Sequence, residues 1–203
     1  MDNIRKIISD SYTKNSESRN HDEIQNWKID EVKRFEEIMN KNGFKTILDI
    51  GCGSGIFGKI FQDLNFSPFC IDFSEGMVDL AIKRGLDAKL MDFYNLDFAD
   101  CTFDSVWSMN TLLHVPKSDL VNVLSEIKRV IRDNGFMFLG LYGGWSFEGF
   151  WDKDFYKPNR FFSFYEDNEI ISYIEKIFKI EDFRSYDVGR EGFNFQSMIL
   201  KKK

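Results

Sequence analysis

Residues Thr46 to Gly58 read TILDIGCGSGIFG. Ile47, Leu48 and Ile50 form a short β-type apolar run around one acid, Asp49. Glycines then fall at alternate positions, Gly51, Gly53 and Gly55, and helix-compatible sequence starts at once. The pattern is that of a buried strand, a tight loop and a helix. Glycine reaches positive φ at little steric cost and leaves room where a ligand lies against the main chain. The following helix directs its N-terminal amides, and the positive end of its dipole, at the loop. A nucleotide-like ligand is the natural occupant.

Outward from this stretch, strand and helix signals alternate. Strands are expected at 46–50, 67–71, about 88–91 and 103–109, with helices from about 56, at 75–84 and at 118–132. Ser74 can cap the helix that Glu75 opens and Gly85 closes. Leu120, Val123, Leu124, Ile127, Val130 and Ile131 make an apolar stripe at helical spacing. Asn134-Gly135 then turns the chain into the strand GFMFLGLYG. Alternating βα units require parallel pairing with right-handed crossovers, hence a sheet covered on both sides.

The ends of the chain differ. Before the glycine stretch, Ile24, Trp27, Val32, Phe35, Ile38 and Met39 indicate a helix over 22–41, and the first twenty residues lack a firm pattern. After a helix near 166–178, the runs Ile180–Val188 and Phe193–Lys201 are separated only by Gly189-Arg190-Glu191-Gly192. Four residues suffice for a hairpin and not for a crossover helix, so the last strand should be antiparallel. The expected architecture is one α/β domain over 1–203, a three-layer Rossmann-like sandwich. Its sheet would be mostly parallel and seven-stranded with an antiparallel C-terminal strand. Residues 1–43 would form an N-terminal helical cap, and the aromatic-rich 145–165 an insertion that either packs over the sheet edge as core or forms a lid and wall for an acceptor pocket.

Composition narrows the function. The chain has 203 residues, 43% hydrophobic and 30% charged, with a net charge of −6. That balance is ordinary for a globular domain and argues against the basic face that nucleic acid needs. Cys52, Cys70 and Cys101 have no paired spacing, and with only His21 and His114 no zinc cluster is expected, so no metal is assigned. No signal peptide or membrane-length apolar run is read, and a soluble, cytoplasmic protein is expected. A homodimer is left open.

Ligands of open α/β sheets bind beyond the carboxyl ends of the strands. There the first strand delivers Asp49 and the glycines. The second ends in Asp72, a carboxylate able to accept from both hydroxyls of a ribose. After the third come Asp92, an acid for an exocyclic amine, and Phe93, a ring for the face of a base. The fourth leads into Asn110 and then His114. Gly53, Gly55 and Gly58 also spell GxGxxG with Asp72 some twenty residues on, so a nicotinamide or flavin site is a competing reading.

As an ordered series these segments resemble the small-molecule branch of the class I S-adenosylmethionine-dependent methyltransferases. ILDIGCGSG looks like that family's glycine motif, IDFSEGMVDLA its second-strand acid and helix, and MDFYNLDF its adenine-binding acid. FDSVWSMNTLLHV resembles its fourth-strand motif, and FQSMILKKK its seventh strand. The likeness covers 44–142 closely and 160–201 more loosely. It departs in having Asn134-Gly135 where a double glycine is usual, and no glycine around Ile177-Phe178-Lys179.

The resemblance implies S-adenosyl-L-methionine as cofactor, with Asp49, Gly51 and Gly53 at its methionine portion and Asn110 near the methionyl end. Asp72 would take the ribose, Phe73 and Met77 would lie beside the adenine, Asp92 would accept from its amine and Phe93 would flank it. A small-molecule acceptor would meet His114, Trp145, Arg160 and Tyr165, with Arg160 either pairing an acidic acceptor or forming a surface salt bridge. The helix around Trp27 would close the site from the other side. Methyl transfer from a sulfonium is a direct displacement in which alignment supplies roughly 7–11 kcal/mol. A base is needed only for an acceptor protonated at working pH, so no catalytic residue is assigned. Two other functions compete: a nucleic-acid (tRNA-type) methyltransferase and a cofactor-fold binding protein without turnover.

Overall fold

The computed structural model describes residues 2–19, 24–189 and 192–203. His21, the first residues of the helix expected at 22–41, and the Arg190-Glu191 turn lie outside the described residues. Helices α1 (Asp2–Lys14), α2 (Ser16–Arg19) and α3 (Asn26–Lys41) precede strand β1 (Thr46–Ile50). Then come α4 (Ile56–Asp63), β2 (Ser67–Asp72), α5 (Glu75–Lys83), β3 (Asp87–Leu90), β4 (Phe103–Met109), α6 (Leu120–Val130) and β5 (Ile131–Gly143). A small hairpin, β6 (Phe147–Phe150) and β7 (Phe161–Phe164), leads to α7 (Asp167–Ile174), β8 (Phe178–Asp187) and β9 (Asn194–Lys202).

The main sheet has seven strands in the order β3-β2-β1-β4-β5-β9-β8. β1 pairs in parallel with β2 and β4, β2 with β3, and β4 with β5, whereas β9 runs antiparallel to both β5 and β8. The expected fold is therefore the observed one, antiparallel last strand included. Its physical basis is alternation across two buried faces. Leu48, Ile50, Val106, Met137 and Leu139 pack under α6 and α7. Their strand neighbours Ile47, Trp107 and Phe138 face Val32, Phe35 and Met39 of α3 and Phe61 of α4.

Punctuation in the chain behaves as its chemistry requires. Ser74 Oγ accepts from the Met77 amide at 3.3 Å and caps α5. Asn134 adopts φ 63°, a left-handed geometry, within the first residues of β5 rather than in a turn before it. The pairing of β4 with β5 skips there, from Phe103↔Ile131 to Ser105↔Phe136.

The N-terminus departs from expectation. The first residues, read without a pattern, form two helices. Ile4, Ile7, Ile8 and Tyr12 share one face of α1, and Ser11 on that helix is fully buried. A polar helix of 13 residues is marginal in isolation. Packing on α5 supplies the missing stability: Thr13 Oγ1 and Ser74 Oγ are 2.8 Å apart. A Cβ at Gly76 would also press on Ser16. Among the described residues no helix is long and apolar enough to cross a membrane.

Candidate active site

A cavity of about 520 Å³ lies beyond the carboxyl ends of β1, β2 and β4, roofed by α1. It brings together Gly51, Gly53, Asp72, Phe73, Asp92, Phe93 and Asn110 at one end and His114 and Arg160 at the other. Four expected residues do not line it. Asp49 and Met77 are buried beneath the loop and α5, Trp145 packs among Phe147, Phe164 and Phe193, and Tyr165 is buried against Tyr173.

The glycine loop is built for close approach. Gly51 sits at φ 67°, and a Cβ there would collide with the Thr111 side chain. Thr111 Oγ1 in turn donates to the Ile50 carbonyl at 3.0 Å, tying the loop to the turn after β4. A Cβ on Gly53 would meet nothing within 4 Å, so its backbone opens onto the cavity. Gly55 and Gly58 serve helix–strand packing instead, since added Cβ atoms would strike Leu86 and Cys70.

Asp72 organises this end. Its Oδ2 accepts from the Gly53 amide and its Oδ1 from the Ser74 amide, each at 2.9 Å. A carboxylate has further lone pairs for ligand hydroxyls. Beneath it, burial and the neighbouring charge of Asp72 push the Asp49 carboxyl up to about 8, with the Gly58 amide opposing. Asp49 thus supports the loop from below in a largely protonated state near neutral pH. The Cys52 thiol is held even further from ionisation by its hydrogen bond to Cys70 and by burial. Asn110, at φ 57°, donates its backbone amide to the Gly140 carbonyl at 2.7 Å. Its Oδ1 is buried without a partner among the described residues.

Two side chains of α1, unforeseen in the sequence, complete the wall. Arg5 Nη1 donates to Asp92 Oδ2 at 2.6 Å and its guanidinium lies 4.9 Å from the Tyr94 ring. The Tyr12 hydroxyl is 2.8 Å from His114 Nε2. Arg160 forms a buried pair with Asp154, their side chains 8% and 0% exposed, which corrects the surface salt bridge considered from sequence. Trp27 itself packs on Phe195 at 4.4 Å, while Gln25 and Lys28 beside it at the start of α3 line the cavity together with α1. The signal for α1 was the 4, 7, 8, 11, 12 spacing, diluted by its many polar residues.

The aromatic insertion divides its rings. Phe164 and Tyr165 join the core, Phe155 and Tyr156 line the cavity, and Phe162 does both. Core and cavity wall are thus built from one segment.

Sheet order, glycine loop and strand-end acids define a Rossmann-like α/β protein with a nucleotide-type pocket. Residues 48–139 match the model of the methyltransferase domain, and the sheet order is that of the S-adenosylmethionine-dependent methyltransferase fold. It is 35% identical over 102 residues to Probable methyltransferase PMT4 of Arabidopsis thaliana, covering 48% of this chain and 17% of that one. It is 26% identical over 145 residues to the ubiquinone biosynthesis O-methyltransferase of Hydrogenovibrio crunogenus, covering 68% and 58%. The chain therefore spans less than two thirds of these curated relatives. Among solved structures, 1,6-didemethyltoxoflavin-N1-methyltransferase of Burkholderia thailandensis superposes with a TM-score of 0.75 at 14% identity, over 98% of this chain and 88% of that one. That likeness is one of fold.

The residues present fit S-adenosylmethionine. The open backbone at Gly53, the doubly anchored Asp72 carboxylate and the orphaned Asn110 oxygen offer acceptors and a close-approach surface for its polar ends. The Phe73 and Phe93 rings offer apolar faces.

Proposed function

We propose that this chain transfers a methyl group from S-adenosylmethionine to a small-molecule acceptor. The observation that carries the reading is the continuity of one cavity, from Gly51, Asp72 and Asp92 to His114, Tyr156 and Arg160. A methyl donor at the first end would face an acceptor at the second without crossing solvent. About 520 Å³ lies within the ordinary range for a ligand pocket, so an acceptor that shares it with the cofactor must be small.

The bound cofactor supplies an activated methyl group on sulfur. The chain supplies position: Gly51, Gly53 and Asn110 for the amino-acid end, Asp72 for the ribose, Asp92 and Phe93 for the base. Tyr156 and Phe162 wall the acceptor end of the cavity. A polymer acceptor fits less well, because α1 roofs the cavity and Arg5 and Arg160 on its wall are each paired with an acid.

Calorimetry with S-adenosylhomocysteine tests the reading directly, and binding in the micromolar range is expected. Folded protein with no affinity for it, or with NAD bound in its place, would overturn the assignment.

A further inference from the structure

We propose that the far end of the cavity takes a flat acceptor with an ionisable hydroxyl, and that Tyr12 passes the proton of that hydroxyl to His114. The inference rests on the methyltransferase reading and specifies its acceptor.

Hydrogen-bond logic fixes the protonation pattern. His114 Nδ1 is 2.7 Å from the Phe161 carbonyl, which can only accept, so Nδ1 carries the ring proton. Nε2 then presents a lone pair, and the Tyr12 hydroxyl 2.8 Å away donates to it. Arg160 Nη1 donates to the same phenol oxygen at 2.9 Å. The rest of the guanidinium is fixed by Asp154, through Nε at 2.9 Å and Nη2 at 2.7 Å. Tyr12 therefore has a base on its proton and a cation on its oxygen. That geometry gives a proton a path through the hydroxyl to the imidazole.

A neutral amine needs no such arrangement to accept a methyl group; a hydroxyl does, because its proton must leave. The acceptor proton moves to the Tyr12 oxygen as the Tyr12 proton moves to His114 Nε2. The freed oxygen pair forms the new O–C bond, and the methyl–sulfur bond breaks with its electrons going to sulfur. The products are a methyl ether, a neutral thioether and an imidazolium whose Nδ1–H stays on the Phe161 carbonyl. Its extra proton later passes to water. The walls are aromatic, with the Tyr156 ring edge-on to Tyr12 at 6.2 Å and Phe162 4.7 Å from His114, and such walls suit a planar ring.

The probe is 4-nitrophenol, whose visible absorbance reports its ionisation, added to the full chain saturated with S-adenosylhomocysteine. Wild type should bind it and lower its apparent pKa. Tyr12→Phe and His114→Gln should each lose about tenfold in phenolate affinity, the worth of one charge-assisted hydrogen bond, and keep their affinity for S-adenosylhomocysteine. Failure of wild type to bind the probe would overturn the acceptor class while leaving the methyltransferase reading intact. Equal ionisation in all three proteins, or loss of S-adenosylhomocysteine affinity in Tyr12→Phe alone, would overturn the role of Tyr12. Loss of that affinity in wild type would instead sink the underlying reading.

Discussion

Arg5 Nη1 reaches Asp92 Oδ2 across 2.6 Å, so the first helix of the chain is latched to the loop after β3. The carboxylate it holds is the one that the resemblance assigns to the adenine amine. Both groups are partly exposed, so the pair is worth about 0.5–1 kcal/mol. Arg5→Ala should release Asp92 from this pair and tighten S-adenosylhomocysteine binding by about two- to fivefold. Titration calorimetry would measure it, and weaker binding would mean that Arg5 holds the cofactor instead.

Asp72 has the opposite sign. Its carboxylate both anchors the Gly53 and Ser74 amides and stands ready for ribose hydroxyls. Asp72→Ala should weaken S-adenosylhomocysteine by about 2–3 kcal/mol. Unchanged affinity in a folded variant would remove the ribose assignment.

Gly51→Ala strains the loop twice, through positive φ and through collision with Thr111. The two effects together should cost about 2–4 kcal/mol of stability. A thermal melt equal to that of wild type would contradict the described loop.

Asp49 makes stability depend on pH. Its carboxyl rises from an ordinary value of 3.8 to about 8 on folding. Between those values the folded chain keeps a proton that the unfolded chain releases, so stability is full at low pH and is lost as pH rises toward 8. Asp49→Asn should flatten this contribution, which amounts to about 1.4 kcal/mol per pH unit across the window. Urea unfolding of both proteins at several pH values would reveal the difference in slope.

Asp154→Asn should be the most damaging polar substitution near the cavity. It leaves the Arg160 charge buried without its partner, at a cost of about 3–5 kcal/mol. Burial raises the Asp154 carboxyl and the Arg160 hydrogen bonds lower it by more, so the net shift is downward. The stability from this pair is accordingly present above the ordinary carboxylate range and lost as pH falls below it. Acid unfolding of the variant and wild type should converge at low pH.

Much of this molecule could be read without coordinates because its signals are local. The β1 run and the glycines of Thr46–Gly58, the capped α5 and the α6 stripe each announce themselves within a dozen residues. The short turn before Phe193 dictated the antiparallel β9. Strand ends in this topology also share one edge, which is why Asp72, Asp92 and Asn110 could be grouped in advance.

Trp145, Tyr165, Met77 and Asp49 were grouped with them and stand elsewhere, because adjacency along the chain does not determine which way a side chain turns. Trp145 and Tyr165, just outside the strands, pack into the core, whereas Phe162 joins the core and also borders the cavity.

The succession of strands and helices along the chain, the glycine loop and the strand-end acids follow from the sequence alone, since each depends on residues a few positions apart. The roof does not. Arg5 lies 87 residues from Asp92, Tyr12 lies 102 from His114 and 148 from Arg160, and no short-range pattern records such pairs. They exist because α1 gains its stability by packing on the rest of the fold, α5 above all, and that packing brings Ile4, Arg5, Ile8 and Tyr12 over the cavity.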